Sequence, residues 1–220
     1  MPKVKIPRKS TAVDMTAMCD VAFLLLSFFI LATKQKPPEV LAVQTPNSVS
    51  AKVAPDNAFV ITMTKDGRTF LMLGEETKKA DILADINTNK ALGLSPAELK
   101  AWGKRQFIGL PLSQVKSSLA GPAPDAAKDP GIPADSTNNE MIDWVHAIAD
   151  VYAKAQVDQK DLEKLLLVKG DNDVLYPVFR SIKEAFKKND IYKFRLITNG
   201  EAPPAGSEMA KSGGVDETNK

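Results

Sequence analysis

One acidic residue, Asp20, lies inside the most apolar stretch of this chain. The stretch covers residues 15–33 and reads MTAMCDVAFLLLSFFILAT, with Asp20 as its one charged side chain. As a helix rising ~1.5 Å per residue it is roughly 28 Å long, close to the hydrocarbon thickness of a bilayer. An ionised carboxylate in that setting costs roughly 2.5–3.5 kcal/mol on insertion scales, and acids inside membrane spans are functional by default. Asp20 is therefore the first candidate site, as a group that carries a proton by alternating between its neutral and charged forms.

Three polar neighbours of Asp20 have less specific interpretations. Asp14 at the start of the stretch can cap the helix or support Asp20, and Thr16 adds a second acceptor at that end. Ser27 lies two turns after Asp20 on the same face, where it supports Asp20 or bonds its own backbone. The structural alternative for Asp20 is a helix-end acid that reaches water at the membrane surface, although its side chain is short for that. We predict Asp20 as the proton carrier, with Asp14, Thr16 and Ser27 as supporting residues.

Charges on either side of the apolar stretch predict its topology. The basic residues are Lys3, Lys5, Arg8 and Lys9 before it and Lys34 and Lys36 after it. The positive-inside rule then places residues 1–12 in the cytoplasm, 13–33 across the membrane and the rest of the chain on the far side. A cleaved signal peptide is the alternative, because it also combines a basic start with an apolar run. Asp20 and the lack of small residues at 33–38 weigh against cleavage.

Composition argues against several classes of function. The 29 Lys and Arg residues nearly balance the 27 Asp and Glu residues, so the net charge of +2 offers no nucleic-acid footprint. The single cysteine, Cys19, cannot form an internal disulfide, and the single histidine, His146, is more typical of a surface side chain than of a metal ligand. The chain has no phosphate-binding loop and no hydrolase motif, and residues 170–174 are too short for a calcium loop. We expect no enzyme activity, no cofactor and no metal.

The part of the chain after the apolar stretch predicts an α+β domain in two halves. Residues 34–57 read as a linker, and the first half follows at residues 58–87. Asp66-Gly67 between two β-rich runs predicts a hairpin, and Thr77 is expected to cap the next helix. The second half, residues 161–200, should contain a strand, a helix and a strand. Helices packed on one face of a small mixed sheet are the fold that this order predicts.

Local signals place the elements of the second half and its tail. Leu165–Lys169 reads as a buried strand, the apolar period of residues 178–186 predicts a helix that ends before Asn189, and Tyr192–Thr198 predicts the last strand. Residues 201–220 are polar and rich in small residues, which is typical of a disordered tail.

Between the two halves lie residues 88–160, which we call the insert. Ser95, Pro96 and Glu98 form a capping-box pattern for one helix, and the apolar spacing of residues 112–119 predicts a second. Residues 121–138 read as a proline-rich loop. The apolar face of a longer helix is predicted from Met141, Val145, Ile148 and Tyr152, with Trp144 and His146 off that face. The insert either binds an additional partner or fills space, and its regular pattern favours a partner.

These patterns together resemble the ExbD/TolR family, the small subunits of proton-driven motors that work with ExbB or TolQ. Residues 13–29, VDMTAMCDVAFLLLSFF, are similar to the family's membrane segment I-N-x-T-P-M-V-D-V-x-L-x-L-L-x-F-F, and Asp20 falls at its essential aspartate. Asp14, Ala17 and Cys19 depart from that pattern. Residues 41–48 resemble the family's V-x-L-P-x-A stretch, and both halves of the domain resemble its hairpin and its strand-helix-strand end. The insert has no counterpart in the resemblance.

The resemblance implies a location, a mechanism and partners. It implies an inner-membrane protein with one lipid-embedded helix and a periplasmic domain, and two copies of the helix inside a ring of ExbB/TolQ-like subunits. Asp20 would take a proton from the periplasm and release it to the cytoplasm. Force would pass to a TonB- or TolA-like transducer or to the cell wall, with the linker residues Val43, Pro46 and Ser48 binding the partner as an added strand. Two other classes remain open: a passive anchored binding module, and a secreted enzyme with a cleaved leader.

Overall fold

The computed structural model describes residues 15–32, 41, 43–48, 53–120 and 128–201, which divide into two compact units. The first unit contains helix α1 (Met15–Ala32), which has a mean hydropathy of 2.2 and no buried residue. In the described part of the chain α1 is the one helix long and apolar enough to cross a bilayer, a test that a signal sequence also passes. Residues 1–14 and most of the predicted tail, 202–220, lie outside the described residues.

The second unit is built on a four-stranded mixed sheet. Its strands are β2 (Phe59–Met63), β3 (Thr69–Leu73), β4 (Leu166–Gly170) and β5 (Arg195–Ile197). They lie in the order β3-β2-β4-β5, with β2 and β3 antiparallel and the other two pairs parallel. A second small sheet pairs β1 (Asn47–Ser48) in parallel with β6 (Asn199–Gly200). The predicted hairpin is confirmed: Gly67 has φ +78°, which glycine adopts readily, and its N–H donates to the Thr64 carbonyl at 2.9 Å.

Six helices accompany the sheets in the described residues. They are α2 (Glu76–Asn89), α3 (Pro96–Gly103), α4 (Leu112–Leu119), α5 (Met141–Lys154), α6 (Gln159–Leu165) and α7 (Tyr176–Lys188). The capping box of α3 is confirmed: Ser95 Oγ accepts from Glu98 N–H at 3.3 Å, and Glu98 Oε2 accepts from Ser95 N–H at 2.7 Å. The prediction that Thr77 caps α2 is wrong. The helix already begins at Glu76, so Glu75 is the N-cap residue and Thr77 lies within the first turn. Residues 128–138 are irregular, as predicted for this loop.

One hydrophobic core covers one face of the four-stranded sheet. Alternate residues of β2, including Phe59 and Ile61, face it, while Val60 belongs to a small cluster on the other face. Helix α5 packs against both α2 and α7 and places Ile148 in this core with no exposed surface. The predicted class, an apolar helix followed by helices on a small mixed sheet, is confirmed.

Helix α5 is buried on more than its predicted face. Trp144, predicted off that face, has no exposed surface and meets Trp102 of α3 edge to face, with ring centroids 5.5 Å apart. The reason is that α3 adds a third packing partner, which a single apolar stripe does not reveal. His146 is on the surface as predicted, 3.6 Å from Asp150.

The insert also closes the outer edge of the hairpin. Leu71 of β3 and Ile108 exchange two backbone hydrogen bonds of 2.8 Å, and Ile132 N–H donates to the Thr69 carbonyl at 2.7 Å. Gly109 lies so close to the sheet that an added Cβ would be 2.3 Å from the ring of Phe70. An exposed strand edge invites pairing with other chains, so this contact protects the β3 edge.

Candidate functional site

Asp20 sits in the second turn of α1 with an exposed side chain, like nearly all residues of this helix. Ser27 is on the same face seven residues later, about 10.5 Å along the axis. Its hydroxyl donates to the Leu24 carbonyl at 2.9 Å, which is the local alternative considered from the sequence. Thr16 lies one turn before Asp20 on this face, and Asp14 falls outside the described residues. In the described part of α1, Asp20 is therefore the one charged side chain, on a face that also carries Thr16 and Ser27.

In the second unit, residues 43–48 form a segment that we call the linker strap. Gln44 N–H donates to Asp171 Oδ2 at 3.1 Å, and Gln44 O accepts from Asn172 N–H at 2.9 Å. These bonds hold the start of the strap against the loop that connects β4 and α7.

The other end of the linker strap is held by the C-terminal segment. Thr45 Oγ1 donates to Asn199 Oδ1 at 2.8 Å, and the Asn199 amide returns a bond to the Thr45 carbonyl at 3.1 Å. The Asn199 N–H donates to Pro46 O at 2.9 Å, and Glu201 N–H donates to Ser48 O at 3.0 Å. The predicted strand-forming capacity of residues 41–48 is thus used here within the same chain.

The negative charge of Asp171 strengthens the hydrogen bond that holds the start of the linker strap. The pKa of Asp171 lies below its usual value because its carboxylate accepts hydrogen bonds from the backbone of Asp173, at 3.0 Å, and of Gln44. Both bonds favour the ionised form, so the contact is strongest while Asp171 is charged.

The sequence predicts partner-binding residues in the linker strap but not the residues that hold it in place. Of the predicted partner-binding residues, Val43 and Ser48 are half-buried and Pro46 is exposed. Pro46 and Ser48 hold the strap through their backbone carbonyls. The side chains that fix it are those of Thr45, which is 5% exposed, and of Asp171 and Asn199, which lie 127 and 154 residues from their partners Gln44 and Thr45. No local signal in the sequence points to contacts of that range.

A polar cluster of the buried Tyr152 and the half-buried Glu75 and Lys78 joins the start of α2 to α5. The Tyr152 hydroxyl donates to the Glu75 carboxylate, and the Lys78 ammonium lies 3.6 Å from the centre of the Tyr152 ring. Burial, and then the bond to Glu75, raises the pKa of Tyr152, so the phenol stays protonated. These three groups satisfy one another, and their arrangement is that of a structural contact between helices.

Among the described residues no group of three or more His, Cys, Asp or Glu side chains could hold a metal ion. The described structure contains one apolar helix that bears a carboxylate and a small α+β unit, and the helix is consistent with a single-pass membrane anchor. The chain matches the family described as "Biopolymer transport protein ExbD/TolR" over residues 7–201. It therefore belongs to the ExbD/TolR family. No curated protein and no solved structure gave a match.

Family membership establishes the general role of the chain. ExbD/TolR proteins are inner-membrane, non-enzymatic subunits that transduce energy for biopolymer transport. They associate in general with ExbB/TolQ-type and TonB/TolA-type proteins. The match includes both α1 and the insert.

Proposed function

We propose that this chain is an ExbD-like subunit of a proton-driven motor and that Asp20 is its proton carrier. One observation carries the proposal: α1 is the sole candidate span in the described residues, and Asp20 is its one ionisable carboxylate, at the position of the family's essential aspartate. An acid in such a helix is costly unless its charge is used or compensated.

Two copies of α1 stand inside a ring of ExbB/TolQ-like subunits, with the N-terminus in the cytoplasm and the second unit in the periplasm. Charged Asp20 requires polar groups of the ring, whereas neutral Asp20 tolerates apolar surroundings. Alternation between these forms in the two copies turns the helices relative to the ring. Each charge that crosses the field gains ~2.3 kcal/mol per 100 mV, so several protons supply a mechanical stroke.

The second unit then transmits the force from the helix to a partner protein. The linker strap connects this unit to the span in sequence, and its bonds to Asp171 and Asn199 support a role in coupling helix motion to the domain. We propose that a TonB- or TolA-like partner engages the strap, with Val43, Pro46 and Ser48 at the contact. Strand pairing suits this step because the segment already forms β1.

A TolR-like role in envelope integrity uses the same chemistry and differs only in the target of the force. Assays in cells that depend on this chain distinguish the two roles. An ExbD-like subunit supports energy-dependent uptake across the outer membrane, whereas a TolR-like subunit supports resistance to detergents.

Asp20→Asn tests the proposal because it keeps the shape of the side chain and removes ionisation. We expect the variant to reach the membrane and to co-purify with its ring subunit while activity in the relevant assay is lost. Asp150→Asn is the matched control, because it removes the same charge from the surface of α5 in the second unit, outside the span, and activity should remain. Full activity of Asp20→Asn would instead establish a passive anchored module.

A further inference from the structure

A basic groove runs between α7 and the chain segment that leads into β5. We define it by Arg180, Lys183 and Lys187 on the helix and by Tyr192 on the opposite wall. Phe194 also lines it and stacks on Phe186 of α7, with ring centroids 5.0 Å apart. The cavity between these walls has a volume of about 620 Å³. Tyr192 is 69% exposed, so an aromatic face is available to a ligand next to the row of cations.

Positive charge is concentrated at this groove. Residues 175–198 contain six basic side chains and two acidic ones, although the whole chain has a net charge of only +2. Glu184 also lines the groove and lies 3.7 Å from Lys188, which lines it too, and Asp190 accepts from the Tyr192 hydroxyl at 3.2 Å. Within the described residues Arg180, Lys183 and Lys187 have no ion-pair partner.

The spacing of the cations fits an extended chain. Arg180, Lys183 and Lys187 share one face of α7, and the rise between Lys183 and Lys187 is about 6 Å. In an extended peptide, alternate side chains point to the same face and are about 6.6–6.8 Å apart. Carboxylates two residues apart in such a peptide can therefore meet Lys183 and Lys187. Strand β5, which follows directly, has no neighbour on its outer edge in the described residues and can pair with an extended backbone.

We propose that the basic groove binds an extended acidic segment of a partner protein, with alternate Asp or Glu residues facing Lys183 and Lys187. The complementary charge fixes the register, and Tyr192 packs against the intervening side chains. A lipid surface fits less well, because the cations line a concavity between two walls. The groove goes beyond the proposed proton chemistry, since none of its groups takes part in it.

Binding is measured with the full chain in nanodiscs of zwitterionic lipid, by fluorescence anisotropy of a labelled 12-residue peptide of alternating Glu and Thr. The matched peptide replaces each Glu by Gln. We expect the Glu peptide to bind and the Gln peptide not to bind. The double variant Lys183→Gln, Lys187→Gln should weaken binding roughly two- to thirty-fold, because two exposed ion pairs are lost.

The control double variant is Lys100→Gln, Lys104→Gln, which removes two lysines with the same spacing from the α3 region, and its affinity should equal that of the wild type. The proposal is overturned if the Gln peptide binds equally well, or if both double variants weaken binding to the same extent. The proposal is also overturned if the nanodiscs do not bind the peptide but co-sediment with phosphatidylglycerol vesicles, and if this co-sedimentation is lost in the Lys183→Gln, Lys187→Gln variant. Asp20→Asn should leave peptide affinity unchanged, which separates this test from that of the motor.

Discussion

Replacing Ile148 with alanine tests whether the insert is an integral part of the domain core. Ile148 has no exposed surface and lies in the cluster that also contains Phe59 of β2 and Ile182 of α7. Truncation removes three buried carbon atoms and leaves a cavity, which typically costs about 2–5 kcal/mol of unfolding free energy. With a denaturant dependence of about 2 kcal/mol per M urea, the unfolding midpoint should fall by about 1–2.5 M.

The chain provides its own reporters for this experiment. Its two tryptophans, Trp102 and Trp144, both lie in the insert, so their fluorescence follows the insert alone. Hydrogen exchange at the Ile61 amide follows the sheet. Because one core joins both regions, we expect the two signals to change at the same urea concentration and to shift together in Ile148→Ala.

His146→Ala is the matched control on the same helix. Its side chain is 57% exposed, so the midpoint should move by no more than the equivalent of about 0.5 kcal/mol. The reasoning is refuted if Ile148→Ala moves the fluorescence transition while protection of the Ile61 amide is unchanged. That result would make the insert an independently folding module.

Two further substitutions test contacts around the sheet. Gly109→Ala should lower the free energy of unfolding by about 1–3 kcal/mol, because its Cβ would meet the ring of Phe70. Gly200→Ala is the control and should change this free energy little, because no atom lies within 4 Å of the added Cβ. Equal thermal midpoints of the two variants would contradict this prediction. Asp171→Asn should reduce hydrogen-exchange protection of the Gln44 amide near neutral pH. The pKa of Asp171 is lower in the folded chain than in the unfolded chain. The stabilisation that ionised Asp171 gives to the fold is therefore complete above the unfolded pKa of about 3.9, and it is lost as the pH falls through the folded pKa. Protection in the wild type should therefore decline in that acid range, and persistence of the same decline in the variant would contradict the assignment.

Elements governed by local chemistry could be predicted from the sequence. The turn at Asp66-Gly67 requires a glycine with positive φ, and the Ser95 box depends on residues three positions apart. Strand β4 and helix α7 agree with their predictions within about two residues because each has a strong apolar pattern. The last strand is shorter than predicted, at Arg195–Ile197.

The remaining features depend on tertiary contacts. Helix α6 has seven residues, too few to display a helical period, and was not predicted. Trp144 is buried because α5 has several packing partners, and the contacts of the linker strap depend on Asp171 and Asn199 far along the chain. For the candidate site, the sequence predicts Asp20 from the cost of a charge in an apolar segment, and Asp20 stays a prediction. The bonds of Gln44 and Thr45, in contrast, are visible only in the fold.

The central claim is that Asp20 carries protons through the membrane part of the complex, and proton flux measures this directly. The full chain is reconstituted with its ring subunit in liposomes that contain a pH-sensitive dye, and a potassium diffusion potential is imposed. We predict proton flux with the wild type and with Asp150→Asn, whose partly exposed carboxylate lies on α5 outside the span, and background flux with Asp20→Asn at equal complex content. Wild-type flux from the Asp20→Asn complex would contradict the account.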